Sequence, residues 1–182
     1  MPATIESSSK TMNQKVSITV LSDNRAADGL VAEHGFAAWI EADGRRILFD
    51  TGNGSAMLQN AAALGIDLSR IDVIALSHGH YDHTGNLAAV LRQAPQSHFY
   101  LHPAALRQRY SIHERAKPIG MPESAVTAVS GLADQRRVWV TAPAQISEKV
   151  WLTGPVPRGT GYEDTGGSFF KDAAGRHPDG IP

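Results

Sequence analysis

Hydrophobic and polar positions alternate with a period of two in VSITVLS (residues 16–22), as in a strand with one buried face. GFAAWIE (residues 35–41) and RRILFD (residues 45–50) are two further strand-like runs, and the ADGR turn between them predicts a hairpin. After DTGNG the period changes. Met57, Ala61 and Leu64 recur at helical spacing until Gly65, and the short apolar run DVIAL (residues 72–76) then reads as a strand covered on both faces. Leu87, Val90, Leu91 and Ala94 mark another helix, stopped before Pro95, and HFYLH (residues 98–102) is the next strand, followed by a short helical piece after Pro103. PESAVTAVSGL predicts a short helix from Pro122, and RRVWV, AQIS and KVWLTG predict three short strands. This alternation defines an α/β layered fold, with no repeat and no linker to divide it.

Composition narrows the chemistry. The 182 residues are 42% hydrophobic with a formal charge of -1, enough for one domain with its own core and too balanced to imply a nucleic acid or membrane partner. No run reaches the roughly 18 apolar residues that a spanning helix needs, and the first fifteen residues lack the apolar stretch of a signal peptide, so a cytoplasmic location is expected. Those fifteen residues, polar and without periodicity, read as a flexible tail ahead of a domain covering residues 16–182. Cysteine is absent, which leaves His, Asp and Glu to hold any transition metal.

Against that background one stretch concentrates reactive side chains. LSHGHYDHTGNL (residues 76–87) carries three of the chain's eight histidines and an aspartate as His78-x-His80-x-Asp82-His83, directly between a strand and a helix. In an extended loop residues i and i+2 point the same way, so His78 and His80 can grip one ion. Asp82 and His83 follow where the chain begins to coil and can reach a second, at the roughly 3.5–4 Å spacing of two-metal sites. These side chains suit two divalent ions, zinc first, with iron or manganese also compatible. Tyr81 points away if its neighbours point inward, so loop packing is its first role and substrate contact its second.

His78-x-His80-x-Asp82-His83 after an apolar strand resembles the signature of the metallo-β-lactamase superfamily, and ILFDTG (residues 47–52) strengthens the resemblance. It implies an αββα sandwich of which this chain supplies the N-terminal half or slightly more, and it implies that Asp50 holds the histidine loop from behind rather than binding metal. AEHGFAAWIE, SHGHYDHTGN, FYLHPAALRQRY, IGMPES and VWLTGPVPR together are similar to the dihydropterin-methyl ribofuranosylaminobenzene phosphate synthase group. The implied activity is metal-activated hydrolysis of a small ester, lactone or phosphoester, with Asp82 orienting the water and moving its proton. A pterin-biosynthetic transferase or synthase on the same fold, and a non-catalytic metal-binding fragment, are the alternatives. Flavin-linked di-iron relatives usually carry Glu where this chain has His80, which disfavours a redox role.

Outside the motif, His34 is a possible substrate-site residue because the resembling group has a His-Gly pair there, although a packed or exposed histidine is the simpler account of both His34 and His102. For RQRY (residues 107–110) a solvated helix face is favoured over a phosphate contact. Residues 154–182 have no sustained apolar period and read as a loop crossing toward a missing half; they offer only His177, Asp164, Asp172 and Asp179 as further donors. The chain therefore reads as a C-terminally shortened member, inactive alone if its remaining ligands lie elsewhere.

Overall fold

The computed structural model describes residues 16–157, 159–160, 162 and 167–180. The tail of residues 1–15 and Asp164 lie outside the described residues. Six strands form the main sheet: β1 (Ser17–Ser22), β2 (Ala37–Ala42), β3 (Arg45–Phe49), β4 (Val73–Ala75), β5 (His98–Leu101) and, at the far edge, β8 (Arg137–Trp139). The order is β1-β2-β3-β4-β5-β8, antiparallel across β1, β2 and β3 and parallel from β3 onward. The β2–β3 hairpin turns at Asp43 and Gly44, both with positive φ (52° and 70°), the backbone that a two-residue turn matched to strand twist requires.

One face of the sheet carries Leu21, Trp39, Leu48, Ile74, Phe99 and Leu101. It packs against α1 (Ala56–Ala63) through Met57 and Ala61, α3 (Leu87–Gln93) through Leu87, Val90 and Leu91, and α4 (Glu123–Ser130) through Ala125 and Val129. The periodic positions in the sequence are thus the ones that meet the sheet. On the opposite face the register aligns Ile18, Ile40, Ile47 and Val73 across four strands; Ile47 and Val73 are buried while Ile18 at the edge is exposed. β9 (Ala144–Gln145) and β10 (Trp151–Leu152) pair as a separate hairpin. Among the described residues no helix is long and apolar enough to cross a membrane.

Two expectations are corrected. Residues 107–110 are not a helix face: Tyr110 opens β6 (Tyr110–Ile112), which pairs with β7 (Ala116–Pro118), and Arg109 is buried. The described part of residues 154–182 is not a featureless crossing loop either. It contributes β11 (Phe169–Phe170), antiparallel to β6, and completes a three-stranded sheet beside the C-terminal ends of the parallel strands. Strands of two or three residues carry too few positions for alternation to show.

The antiparallel-to-parallel switch at β3 and β4 is fastened by a bidentate pair. Arg46 donates through Nε to Asp72 Oδ2 (2.9 Å) and through Nη2 to Oδ1 (2.8 Å), and its backbone N–H donates to Oδ2 (2.9 Å). The guanidinium hydrogen bond holds the Asp72 carboxyl below the usual carboxylate range. A depressed folded-state pKa gives stability that is present above the unfolded value, about 3.9, and lost as pH falls through the lower folded value. Asp72→Asn is expected to lower unfolding stability at pH 7 by about 1–2 kcal/mol. Urea denaturation at pH 7 and again near pH 2.5 checks this, since the gap from the parent must shrink in acid.

Candidate metal centre

Two parallel strand ends build the site. β3 runs into Asp50, fully buried at 0% exposure and at φ 58°, a left-handed conformation that Asp tolerates better than branched residues. β4 runs through Leu76 into Ser77 and His78. Ser77 donates its N–H to Asp50 Oδ1 (2.8 Å) and its hydroxyl to Asp50 Oδ2 (2.7 Å), while His83 Nδ1 lies 2.7 Å from the same Oδ2. A hydroxyl that donates to Asp50 must accept from His78, whose Nδ1 is 2.8 Å away. Hydrogen bonding therefore assigns the Nδ1–H tautomer to both His78 and His83 and leaves each Nε2 as the lone-pair nitrogen.

The loop between them is shaped by contacts that admit no side chain. A Cβ at Gly79 would collide with the Ala105 carbonyl, and one at Gly85 with the Asn53 carbonyl. His80 then forms an isolated bridge with Gly120, Tyr81 N–H donates to Ile119 O (3.0 Å), and α2 (Tyr81–Thr84) begins, with the Thr84 hydroxyl donating to His80 O (2.8 Å). Thr51 N–H to His83 O (2.7 Å) and Phe36 N–H to Asp82 O (3.2 Å) fix the far side of this turn.

The result is a packed group of rings. His78 lies 4.5 Å from His80 and 4.2 Å from His83, centroid to centroid, and Asp82 Oδ2 is 3.7 Å from His83 Nε2. Among the described residues no group of three or more His, Asp or Glu side chains has the closed spacing of a formed metal-binding set. The donor types nonetheless suit a divalent cation: three imidazoles and a carboxylate, with His80 Nε2 buried and lacking any hydrogen-bond partner. Burial, reinforced by the other two histidines, pushes His78 down to about 3 against the opposing pull of Asp82. Burial likewise lowers His80, with Asp82 and Asp179 opposing. For His83 burial acts downward, but the Asp50 hydrogen bond and the charges of Asp50 and Asp82 carry it above the ordinary histidine value.

His34 lies beside this group and is largely exposed. Its Nε2 is 3.3 Å from Asp82 Oδ2 and its Nδ1 is 3.1 Å from Asn24 Oδ1. The loop bearing it is stitched to α1. Asn60 donates to Leu21 O and Val31 O, and Glu33 Oε2 accepts from the N–H groups of Gly54 and Ala56 at the start of that helix. Tyr81 is half-buried, 6.5 Å from the His34 ring, with Lys117 Nζ 5.6 Å from its centroid. His102 turns inward on its own backbone, accepting from Ala104 N–H at 3.2 Å, and lines a cavity beside His78 and His80. His177 is exposed and pairs with Asp172 (3.0 Å). Asp179, one of the further donors that residues 154–182 offer, is the one of them brought to the cluster: it is 3% exposed, and its Oδ2 lies 3.9 Å from His80 Nε2.

A mixed sheet with helices on one face and a histidine-rich turn at the end of its parallel strands defines a metallohydrolase-like fold. The model of the metallo-β-lactamase superfamily matches residues 31–171, and the chain belongs to that superfamily. Its members bind divalent metals. An uncharacterized protein of Methanocaldococcus jannaschii is 33% identical over 147 residues, 80% of this chain and 56% of the relative. The 7,8-dihydropterin-6-methyl-4-(β-D-ribofuranosyl)-aminobenzene-5'-phosphate synthase of the same organism is 39% identical over 67 residues, 34% of this chain and 23% of that enzyme. A crystal structure of a metal-dependent hydrolase of the β-lactamase superfamily superposes with a TM-score of 0.65 and 31% identity, covering 90% of this chain and 57% of that one. The chain thus spans little more than half the length of the first of these relatives and of the solved structure.

The Asp50 junction yields a stability test. Asp50→Ala removes the acceptor of three hydrogen bonds from a fully buried position and is expected to cost about 3–5 kcal/mol, whereas Ser77→Ala, which spares the backbone bond, costs about 1–2 kcal/mol. Urea unfolding of the chelator-treated protein measures both. Equal losses would contradict this ranking.

Proposed function

We propose that this chain carries a metal centre of a hydrolase, founded on His78, His80, Asp82 and His83, and acts on a small ester, lactone or phosphoester. The observation that supports it most is the tautomer assignment: Asp50 and Ser77 occupy Nδ1 of His83 and His78 and leave Nε2 of each as a donor. Divalent ions bound there, zinc in the first instance and two in number, would supply Lewis-acid polarisation and a water acidic enough to ionise near neutral pH. Asp82 would orient a water held there and take up its proton. His34, 3.3 Å from the Asp82 carboxylate and open to solvent, passes the proton outward. Asp50 contacts no substrate; it holds His83 in one tautomer and ties the turn to Ser77. Tyr81, beside His34, borders the substrate.

A second reading, a pterin-pathway synthase on the same fold, is favoured by the 39% identity over 67 residues to the dihydropterin enzyme. Hydrolysis of lactones, thioesters and phosphodiesters, measured before and after chelation and zinc readdition, separates the two. The hydrolase reading expects turnover that a chelator abolishes and zinc restores, and that Asp82→Asn lowers by roughly 100-fold or more. Turnover indifferent to chelation, or the absence of any hydrolysis beside synthase activity on a pterin substrate, would overturn it.

A further inference from the structure

A cleft of about 310 Å³ opens beside the histidine turn, bordered by His102, Arg107, Arg109, Lys171 and Asp179 among others. A second, of about 400 Å³, shares Arg107, Arg109 and Lys171 with it. Clefts of roughly 300–1,000 Å³ hold small-molecule ligands. Both of these are walled by the same three cationic side chains. Two of the three, Arg107 and Lys171, are exposed, and neither side chain has a hydrogen bond or ion pair among the described residues. The nearby carboxylates are already committed. Asp179 accepts from Arg109 Nε at 2.7 Å, while Asp172 accepts from the N–H groups of Ala174 (3.0 Å) and His177 (2.9 Å) and pairs with the His177 ring (3.0 Å).

The fold gathers these charges from two distant segments. β11 pairs with β6 so that Phe170 faces Tyr110, and Lys171 continues that strand toward Arg109, held by its own N–H on His177 O (2.8 Å). Arg109, 5% exposed, donates through Nη1 to the carbonyls of Arg107 (3.2 Å) and Gln108 (3.1 Å) and through Nη2 to that of Ala104 (3.3 Å). The backbone that presents Arg107 is thus tied down from within, before any ligand arrives. Like charges brought together in this way repel, and an anionic ligand turns that repulsion into attraction. Position gives such a ligand a use. His102, Arg107, Arg109 and Asp179 also border a smaller cavity, of about 20 Å³, whose wall includes His78 and His80. A molecule gripped in the cleft by one end therefore lies with its remainder beside the histidine turn.

We propose that Arg107 and Lys171 bind a phosphate group on the substrate, a handle separate from the bond that reacts, with buried Arg109 as the positioning residue for Arg107. The fork of an Arg and the point charge of a Lys together suit a dianion with several acceptor oxygens better than a single carboxylate. Only in calling the bound molecule a substrate does this rest on the hydrolase reading.

Calorimetric titration of inorganic phosphate into the chelator-treated full chain tests it, since no bound ion is then present to capture the anion. The parent is expected to bind phosphate saturably. Arg107→Gln and Lys171→Gln should each weaken that binding about fivefold, and together about twentyfold, with circular dichroism unchanged because both side chains are exposed. Arg45→Gln, an exposed cation at the start of β3, should bind phosphate as the parent does. Acetate bound as tightly as phosphate would refute the phosphate assignment. No saturable binding by the parent, or parent-like binding by the double variant, would refute the site and leave the hydrolase reading standing. Phosphate binding in a chain without chelator-sensitive hydrolysis would do the reverse, keeping the phosphate site and removing the hydrolase.

Discussion

Everything at the business end of this molecule hangs on one buried carboxylate. Asp50 terminates β3 in a left-handed conformation and there receives the backbone and hydroxyl of Ser77 from the end of β4 and the ring of His83 from α2. The end of β3, the end of β4 and the first turn of α2 are thereby joined through the two oxygens of one fully buried carboxylate. The Arg46–Asp72 fork secures the start of the same strand pair, so β3 and β4 are pinned at both ends and the turn carrying the histidines has little freedom to drift.

Much of this layout is legible in the linear pattern, and the parts that are not share a cause. Hydrophobic periodicity reveals β1, β2, β3 and β5 and the helices at residues 56–63 and 87–93, because each has enough positions to display a period, while the continuous apolar run DVIAL reveals β4. β6, β7 and β11 have two or three residues each and display none. The motif from His78 to His83 is visible because its spacing is local. Arg109 reads as a surface charge until Asp179, seventy positions later, is brought against it. His34 is a lone histidine until Glu33 and Asn60 draw its loop onto α1 and so toward Asp82. Local order is written locally, whereas burial of a charged residue depends on a partner that no window can contain.

The electrostatics of the cluster follow from crowding. With His78 within 4.5 Å ring to ring of both His80 and His83, charging all three imidazoles in a partly buried setting is costly, and their surroundings differ accordingly. His83 has two carboxylates at hand, while His78 has burial and two histidine neighbours, so their proton affinities move in opposite directions. Opposed shifts in adjacent rings depend on buried partners that spacing in the sequence cannot disclose.

Gly79 and Gly85 give this site a second kind of constraint, independent of its chemistry. Each lies against a carbonyl of a neighbouring segment so closely that a methyl group cannot enter. The histidines decide what the turn can bind; the glycines decide that there is a turn of this shape at all. In an engineered or diverging lineage the two sets would respond to different pressures. Donors could be exchanged to retune ion preference while the frame persists, but the glycines could change only if the Ala105 and Asn53 segments moved with them. The shape of the site is therefore the more conservative trait, and its chemistry the more adjustable one.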